Sequence, residues 1–473
     1  MELSVVDAGS AVELNGAYLR LKDLLGLGDR SLGSASIRRA EWRDPNWIEL
    51  GLSDGRRVLA SSEPASVTRV VRTRGQILTM GAAGELGIRS GGAIVLNGAR
   101  IDRICDVDEV LPAELANAEE IDLGDRLVTP GLIDPHTHLL FLGQRAEEFG
   151  MKAAGKSYLE IHRAGGGILS TVRATRAGSL EALSQAAIAN ARRLLAAGVT
   201  SCEAKSGYAL ELKGELRMLE ALRIADNSQP VDIQRTLLAA HTVPEEFAEA
   251  SDDYLALICE QLIPAAVATP GLLSACDAYL EQGAFDLQQV RRVFEAARRH
   301  RLDLHLHAGQ FSDLGGAQLA AEMNALSVDH LEFVSAEGIA ALAKTGTTAI
   351  LLPGAALTCR CPAPPVAELV AAGVPIALGT DFNPGSSMTA SLPLMMSLAC
   401  TMFGLSCELA WRAVTVNAAR AIGRPELGRI VAGAPADLVA FDAADYREVP
   451  YFLGANLVAA VVKSGQVVIG AQR

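Results

Sequence analysis

The chain has 473 residues, half of them apolar, and a formal net charge of −13. That length and composition can bury a large core and point to more than one structural unit. The acidic balance argues against nucleic acid or an anionic membrane as partner, and no uncharged apolar run is as long as a bilayer span. The N-terminus lacks a basic segment followed by a long apolar one, so the expected location is the cytoplasm. The cysteines are scattered, with Cys359-Arg-Cys361 the only close pair, which reads as reduced thiols and not as a disulfide framework.

In chain order, residues 1–67 carry no motif and no biased composition, and are expected to extend a small β-rich unit. From Thr68 to Leu127 short β-type runs alternate with turn signals, and Gly91–Ile101 reads as a hairpin around an Asn-Gly turn. Then comes an apolar strand, Arg126–Ile133, running into Gly131–His138, Gly-Leu-Ile-Asp-Pro-His-Thr-His. Beyond it, strand-like runs at Val199–Ala204, Leu302–Leu306, Thr348–Leu352 and Ile376–Gly379 alternate with segments of helical spacing such as Leu180–Ala196 and Leu287–His300. From Gly433 the pattern turns β-rich again, in Ala436–Asp442 and Ala459–Val468. The predicted fold is therefore α/β: a parallel (β/α)8 barrel over 129–424, flanked by segments 68–128 and 425–473 that pair into one composite β-sandwich.

The chemistry starts at His136 and His138. At i, i+2 on a strand both rings point to one face and can grip one metal ion, although an amphipathic surface strand also accounts for a lone His-x-His. Partners follow in the order a metal-dependent hydrolase barrel needs: His241, His307 and Asp381. His136, His138, His307 and Asp381 sit just after predicted strands, where a barrel places its catalytic groups. His305 shares the face of His307 and is the rival ligand. For His241 and His330, a satisfied core histidine is the ordinary alternative.

Several long motifs resemble those of the imidazolonepropionase family, amidohydrolase-superfamily enzymes that open the imidazolone ring during histidine degradation. They are Val128–His138, Arg145–Phe149, Arg163–Arg176, Lys205–Tyr208, Leu351–Ala355, Thr380–Ser386 and Val414–Ala421. The resemblance runs from about residue 75 to the end. It implies that His136, His138, His307 and Asp381 hold one Zn²⁺ or Fe ion, with His307 preferred over His305 because the family ligand directly precedes Ala-x-Gln. It makes Asp381 the proton shuttle, gives His330 a part in polarising the carbonyl or activating water, and sets Gln310 against the ring. Arg145 would grip a carboxylate tail through its planar fork, the alternative being a salt bridge to Glu147 or Glu148. Tyr208, His241, Asn383 and Ser386 complete the expected pocket, while Arg173 and Arg176 read as solvated helix charges. The implied partner is a small heterocycle with a carboxylate tail, without nucleic acid or membrane, and a homodimer is one assembly that the sequence leaves open.

Three features depart from the family pattern. Gly309 stands where an Asp is usual, Ala356-Leu357-Thr358 replace an aromatic-rich run and would reshape one wall of the pocket, and Ala209 follows Tyr208 in place of Gly. The rival functions are a deaminase of a related heterocycle, a binuclear hydrolase with carboxylated Lys205, and a non-catalytic metal-binding barrel.

Overall fold

A computed structural model describes residues 67–81, 84–116, 118–156, 160 and 166–470, together with five short strands nearer the N-terminus. Those five, Ala11–Leu14, Ala17–Arg20, Ile37–Asp44, Trp47–Leu52 and Arg57–Ser61, pair antiparallel in a two-stranded and a three-stranded sheet. Among the described residues neither sheet joins a larger one, and the side chains of residues 1–66 lie outside the description.

Eight parallel strands make the barrel: β1 (Leu132–Asp134), β2 (Val199–Lys205), β3 (Asp232–Ala240), β4 (Ala275–Leu280), β5 (Asp303–Ala308), β6 (Ser327–His330), β7 (Thr348–Leu351) and β8 (Ile376–Leu378). Every residue of β2 is buried, as expected of a parallel strand covered by side chains inside and helices outside. One such helix, Leu180–Ala196, shows how the sequence specifies the layer. Ser179 caps it by accepting from Ala182 N at 3.1 Å, and Leu183, Ala187, Ala191, Leu194 and Leu195 form its buried stripe.

The barrel closes between β1 and β8 through side chains and loops more than through a ladder. A single parallel bridge joins Thr137 to Phe382, and His138 N donates to Phe382 O at 3.2 Å. The buried Asp134 carboxylate accepts from Thr380 Oγ1 at 2.6 Å, Thr380 N at 3.1 Å and His136 N at 3.3 Å. The same residue thus fixes the backbone on both sides of the seam.

The segment 126–133, expected as one strand, is two. Leu127–Pro130 belongs to a second eight-stranded sheet, and only Leu132–Asp134 enters the barrel. The break falls at Gly131, whose N–H donates to Asp437 O at 2.8 Å and whose missing side chain admits Thr200, since a Cβ there would lie 2.1 Å from Thr200 Oγ1.

That second sheet unites the segments that flank the barrel, Leu127–Pro130 pairing antiparallel with Leu438–Phe441 and parallel with Thr68–Leu78. Its alternating residues face two apolar clusters, Val71, Ile94, Leu96 and Val128 on one side, Val70, Ala93 and Val95 on the other. The predicted hairpin is present, with Asn97 paired to Arg100, so its two-residue loop is Gly98-Ala99, one position later than the Asn-Gly reading. Lys463 ties the sheet to the barrel, donating to Asp437 Oδ2 at 2.6 Å and to Asp232 Oδ2, at the start of β3, at 2.8 Å. No helix among the described residues is long and apolar enough to cross a membrane.

Candidate metal centre and active site

His136 and His138 leave the end of β1, His307 stands near the end of β5, and Asp381 follows β8. Strands far apart in sequence converge here because the barrel gathers all its strand ends around one axis. His138 Nε2 lies 3.3 Å from His307 Nε2, and Asp381 Oδ1 lies 3.5 Å from both His136 Nε2 and His138 Nε2. Donors about 2.1 Å from one tetrahedral centre stand about 3.4 Å apart, so these separations are those of ligands to a shared ion. His136 Nε2 is buried and has no hydrogen-bond partner among the described residues. Burial lifts the Asp381 carboxyl to about 7 against the hydrogen bonds from Ser386 and Asn383, a cost that a cation between it and the imidazoles relieves. Burial likewise holds the His136 and His138 rings well below their ordinary pKa, keeping them neutral and able to ligate. The residues fit a metal ion.

Two carboxylates that the sequence reading passed over stand behind the ligands. Asp329, on β6, accepts from His136 Nδ1 at 2.7 Å, and Asp277 Oδ2, on β4, lies 3.0 Å from His307 Nδ1. The Asp329 bond fixes which nitrogen of His136 faces the centre, while Asp277 is an ion-pair neighbour of His307 without a hydrogen bond to it. Lys205, at the end of β2, joins them, with its ammonium 2.8 Å from Asp277 Oδ2, 2.9 Å from Glu203 Oε1 and 3.7 Å from Asp329 Oδ2. Burial works against its charge, but Asp277 and Glu203 together raise it above the usual lysine value. An ammonium so engaged is a counter-ion for carboxylates. The spacing Asp277-x-Tyr279 and Ser327-x-Asp329, polar residues two apart in apolar strands, was the available signal for inward-facing groups.

His305, the rival ligand, sits one layer deeper in the barrel. Its Nδ1 lies 2.9 Å from Ser327 Oγ, which in turn donates to Asp329 Oδ1 at 2.8 Å. It supports the shell behind the ligands and does not belong to the converging set.

The remaining expected residues surround the centre. His241 stacks on His138 with centroids 5.2 Å apart, and its Nδ1 lies 3.0 Å from Gly207 O. Desolvation, with His307 nearby, pushes its pKa down to about 4. The buried Tyr208 ring lies 5.8 Å from His138 and 5.5 Å from His241. His330 ends β6 with φ +80 and its ring centroid is 5.6 Å from His307, while Leu331 and Asp381 also take positive φ. Side chains held in this sparsely populated region cluster where the chain must aim a functional group. Gln310 accepts at Oε1 from the Tyr279 hydroxyl at 2.7 Å. Asn383 spends its amide hydrogens on Asp381 O and Ser386 Oγ and its carbonyl on Gly385 N and Ser386 N, so it shapes the loop carrying Asp381. Ser386 Oγ donates to Asp381 Oδ2 at 2.9 Å.

Arg145 makes the salt bridge that was the alternative reading for it, to Glu148 and not to Glu147. Its Nε and Nη2 lie 2.9 and 2.8 Å from Glu148 Oε2, and Glu148 Oε1 accepts from Gly167 N at 3.0 Å. Its Nη1 is directed at Gly385. Arg145 and Ser386 line a cavity of about 440 Å³ beside the metal centre, together with Lys152, Leu357, Thr358 and Met388. Of the wall expected at 356–358, Leu357 and Thr358 face this cavity and Ala356 is buried in the apolar core. Gly309 has φ +74, and a Cβ there would point at Leu331 Cα, 3.3 Å away, so the missing Asp side chain belongs to the β6 end of the rim. Arg173 is exposed beside Glu245, as expected. Arg176 is not merely solvated: its Nε donates to Ala209 O and its Nη2 to Glu246, which anchors the loop behind Tyr208. Part of the Arg163–Arg176 motif, residues 163–165, lies outside the described residues.

Residues 127–468 match the Amidohydrolase family. An imidazolonepropionase of Rubrobacter xylanophilus is 46% identical over 385 residues, 81% of this chain and 92% of that protein. One from Caulobacter vibrioides is 49% identical over 350 residues, 74% of this chain and 87% of its own length. Among solved structures, Escherichia coli guanine deaminase superposes with TM-score 0.66 at 13% identity, covering 86% of this chain and all of that one. An adenosine deaminase of Xanthomonas campestris with bound zinc gives TM-score 0.65 at 17% identity, covering 85% and 93%. At such identities these two show the shared fold.

Proposed function

The chain belongs to the amidohydrolase family and within it to the imidazolonepropionases, and on that premise we propose how its residues divide the reaction. The activity is hydrolysis of a cyclic amide C–N bond, opening 4-imidazolone-5-propanoate to N-formimino-L-glutamate in histidine degradation. The observation that carries the assignment of roles is the convergence of three imidazole Nε2 atoms and Asp381 Oδ1 within 3.3–3.5 Å steps in a buried pocket. His136, His138, His307 and Asp381 would hold one Zn²⁺ or Fe ion, which when bound acidifies water toward neutrality and polarises a carbonyl. A single ion is favoured because Lys205 is engaged as an ammonium among Glu203, Asp277 and Asp329, where carboxylation would turn a counter-ion into a fourth anion.

Asp381 Oδ2, turned away from the imidazoles and held by Ser386, takes a proton from the attacking water and delivers it to the leaving ring nitrogen. His330 polarises the scissile carbonyl from the β6 side. Tyr208 and His241 wall the ring, and Gln310 hydrogen-bonds its edge. Arg145, held from behind by Glu148, presents its free edge to the propionate, and the loop fixed by Asn383 closes that end of the pocket. Catalysis in the cytoplasm accords with this reading.

Purified protein given imidazolone propionate should consume the ring's ultraviolet absorbance and carry one metal equivalent per chain. No turnover by metal-replete protein would refute the assigned reaction, and two equivalents would overturn the single-ion site.

A further inference from the structure

Tyr279 is placed between the metal centre and the loop that follows β5. Its ring meets His307 edge-on with centroids 5.8 Å apart and lies 6.2 Å from His241, while its hydroxyl donates to Gln310 Oε1 at 2.7 Å. Two residues further along, the buried Glu281 carboxylate accepts from Phe311 N at 2.8 Å and Ser312 N at 3.2 Å, and also from Ser312 Oγ. The backbone after Gln310 is therefore pinned by Glu281 and its side chain by Tyr279. Gln310 Nε2 has no hydrogen-bond partner among the described residues.

A primary amide presents a donor at one end and an acceptor at the other, and the two ends have nearly the same shape. Which end faces the substrate must be set by a neighbour. The Tyr279 hydroxyl, protonated at neutral pH like any phenol, points its O–H at Oε1 at 2.7 Å and acts as the donor. A donor on one side of the amide claims Oε1 and leaves the NH₂ for the pocket.

We infer that Tyr279 is a positioning residue that sets the polarity of Gln310, so that the site reads a hydrogen-bond acceptor on the heterocycle's edge, such as an unprotonated ring nitrogen. An edge carrying N–H at that position meets a second donor and is rejected. The inference rests on the placement of Gln310 against the ring in the reading above. Discrimination of this kind is strong because a buried mismatch leaves polar groups unpaired.

The test uses the metal-replete enzyme with two probes: imidazolone propionate as substrate, and its cyclic-urea counterpart, whose same edge carries N–H, as competitive inhibitor. Tyr279→Phe keeps the ring packing and removes the hydroxyl. It should raise KM for the imidazolone about tenfold, with kcat and metal content unchanged, and bind the cyclic urea more tightly than the parent does. In a Gln310→Ala background the same substitution should change neither value. A Tyr279→Phe enzyme with the parent's KM and preference would overturn the inference. So would an equal effect in the Gln310→Ala background, because Tyr279 would then act through His307 or the fold. If the parent does not turn the imidazolone over, the assigned reaction fails, and the polarity of Gln310 is still read from the ratio of the two rings' dissociation constants in parent and variant.

Discussion

Replacing Arg145 by Met separates recognition of the carboxylate tail from everything else the enzyme does. A carboxylate that loses a charge-assisted partner costs about 2–5 kcal/mol, the upper part of that range applying to fully desolvated pairs. Arg145 keeps 14% of its side chain exposed and faces an open cavity, so the lower part applies, about 2–3 kcal/mol or about 30- to 150-fold in KM. Part of any effect comes from Glu148, which loses its partner while still bonded to Gly167 N. The double variant Arg145→Met with Glu148→Gln removes that stranded charge and isolates the recognition step. The assay compares imidazolone propionate with the same ring lacking the propionate, at constant metal occupancy. The intact substrate should lose affinity and the tailless one should not. Equal losses on both would show that Arg145 holds the loop and does not read the tail, and the proposed binding mode would fall.

Metal retention should distinguish the two histidines of β5: His307→Ala should lose the ion and nearly all turnover, whereas His305→Ala should keep the ion, and elemental analysis showing the reverse would overturn the ligand set. Lys205→Met should leave Asp277 and Glu203 uncompensated in the interior and destabilise the fold by about 3–5 kcal/mol, and an unchanged unfolding midpoint would show that another group balances them. Filling the cavity wall with Leu357→Phe and Thr358→Tyr should narrow the range of ring-substituted analogues accepted, so identical preferences in parent and variant would remove this wall from specificity. Lys463→Met should detach the terminal sheet from the start of β3, and native-state hydrogen exchange in Leu438–Phe441 and Val458–Lys463 should rise before that of the barrel strands.

The elements legible in the chain were those written in local patterns. Leu180–Ala196 follows from its cap and its apolar spacing, and Val199, Thr348 and Ile376 open strands where the apolar runs begin. The residues that converge at the candidate centre were legible too, because His-x-His, Leu-His-Ala and Thr-Asp-Phe-Asn are short signatures that one strand end carries alone. What the sequence could not supply were relations between strands. Asp277 and Asp329 look like isolated acids in apolar runs, and their pairing with His307 and His136 exists only once β4, β5, β6 and β1 share one axis. Alternation puts His305 and His307 on the same face, so the preference for His307 came from the Ala-x-Gln motif, and only the barrel shows His305 bonded to Ser327 one layer deeper. The Pro130-Gly131 pair is a local signal for the break, but only the approach of Thr200 and the carbonyl of Asp437 divides Arg126–Ile133 between two sheets. Local periodicity determined which segments are strands and helices, and short motifs picked out the residues that converge at the candidate site. Burial, the closing of the barrel and the sharing of charges among residues distant in sequence were decided by tertiary packing, since the energy of a buried charge depends on neighbours that the chain order does not name.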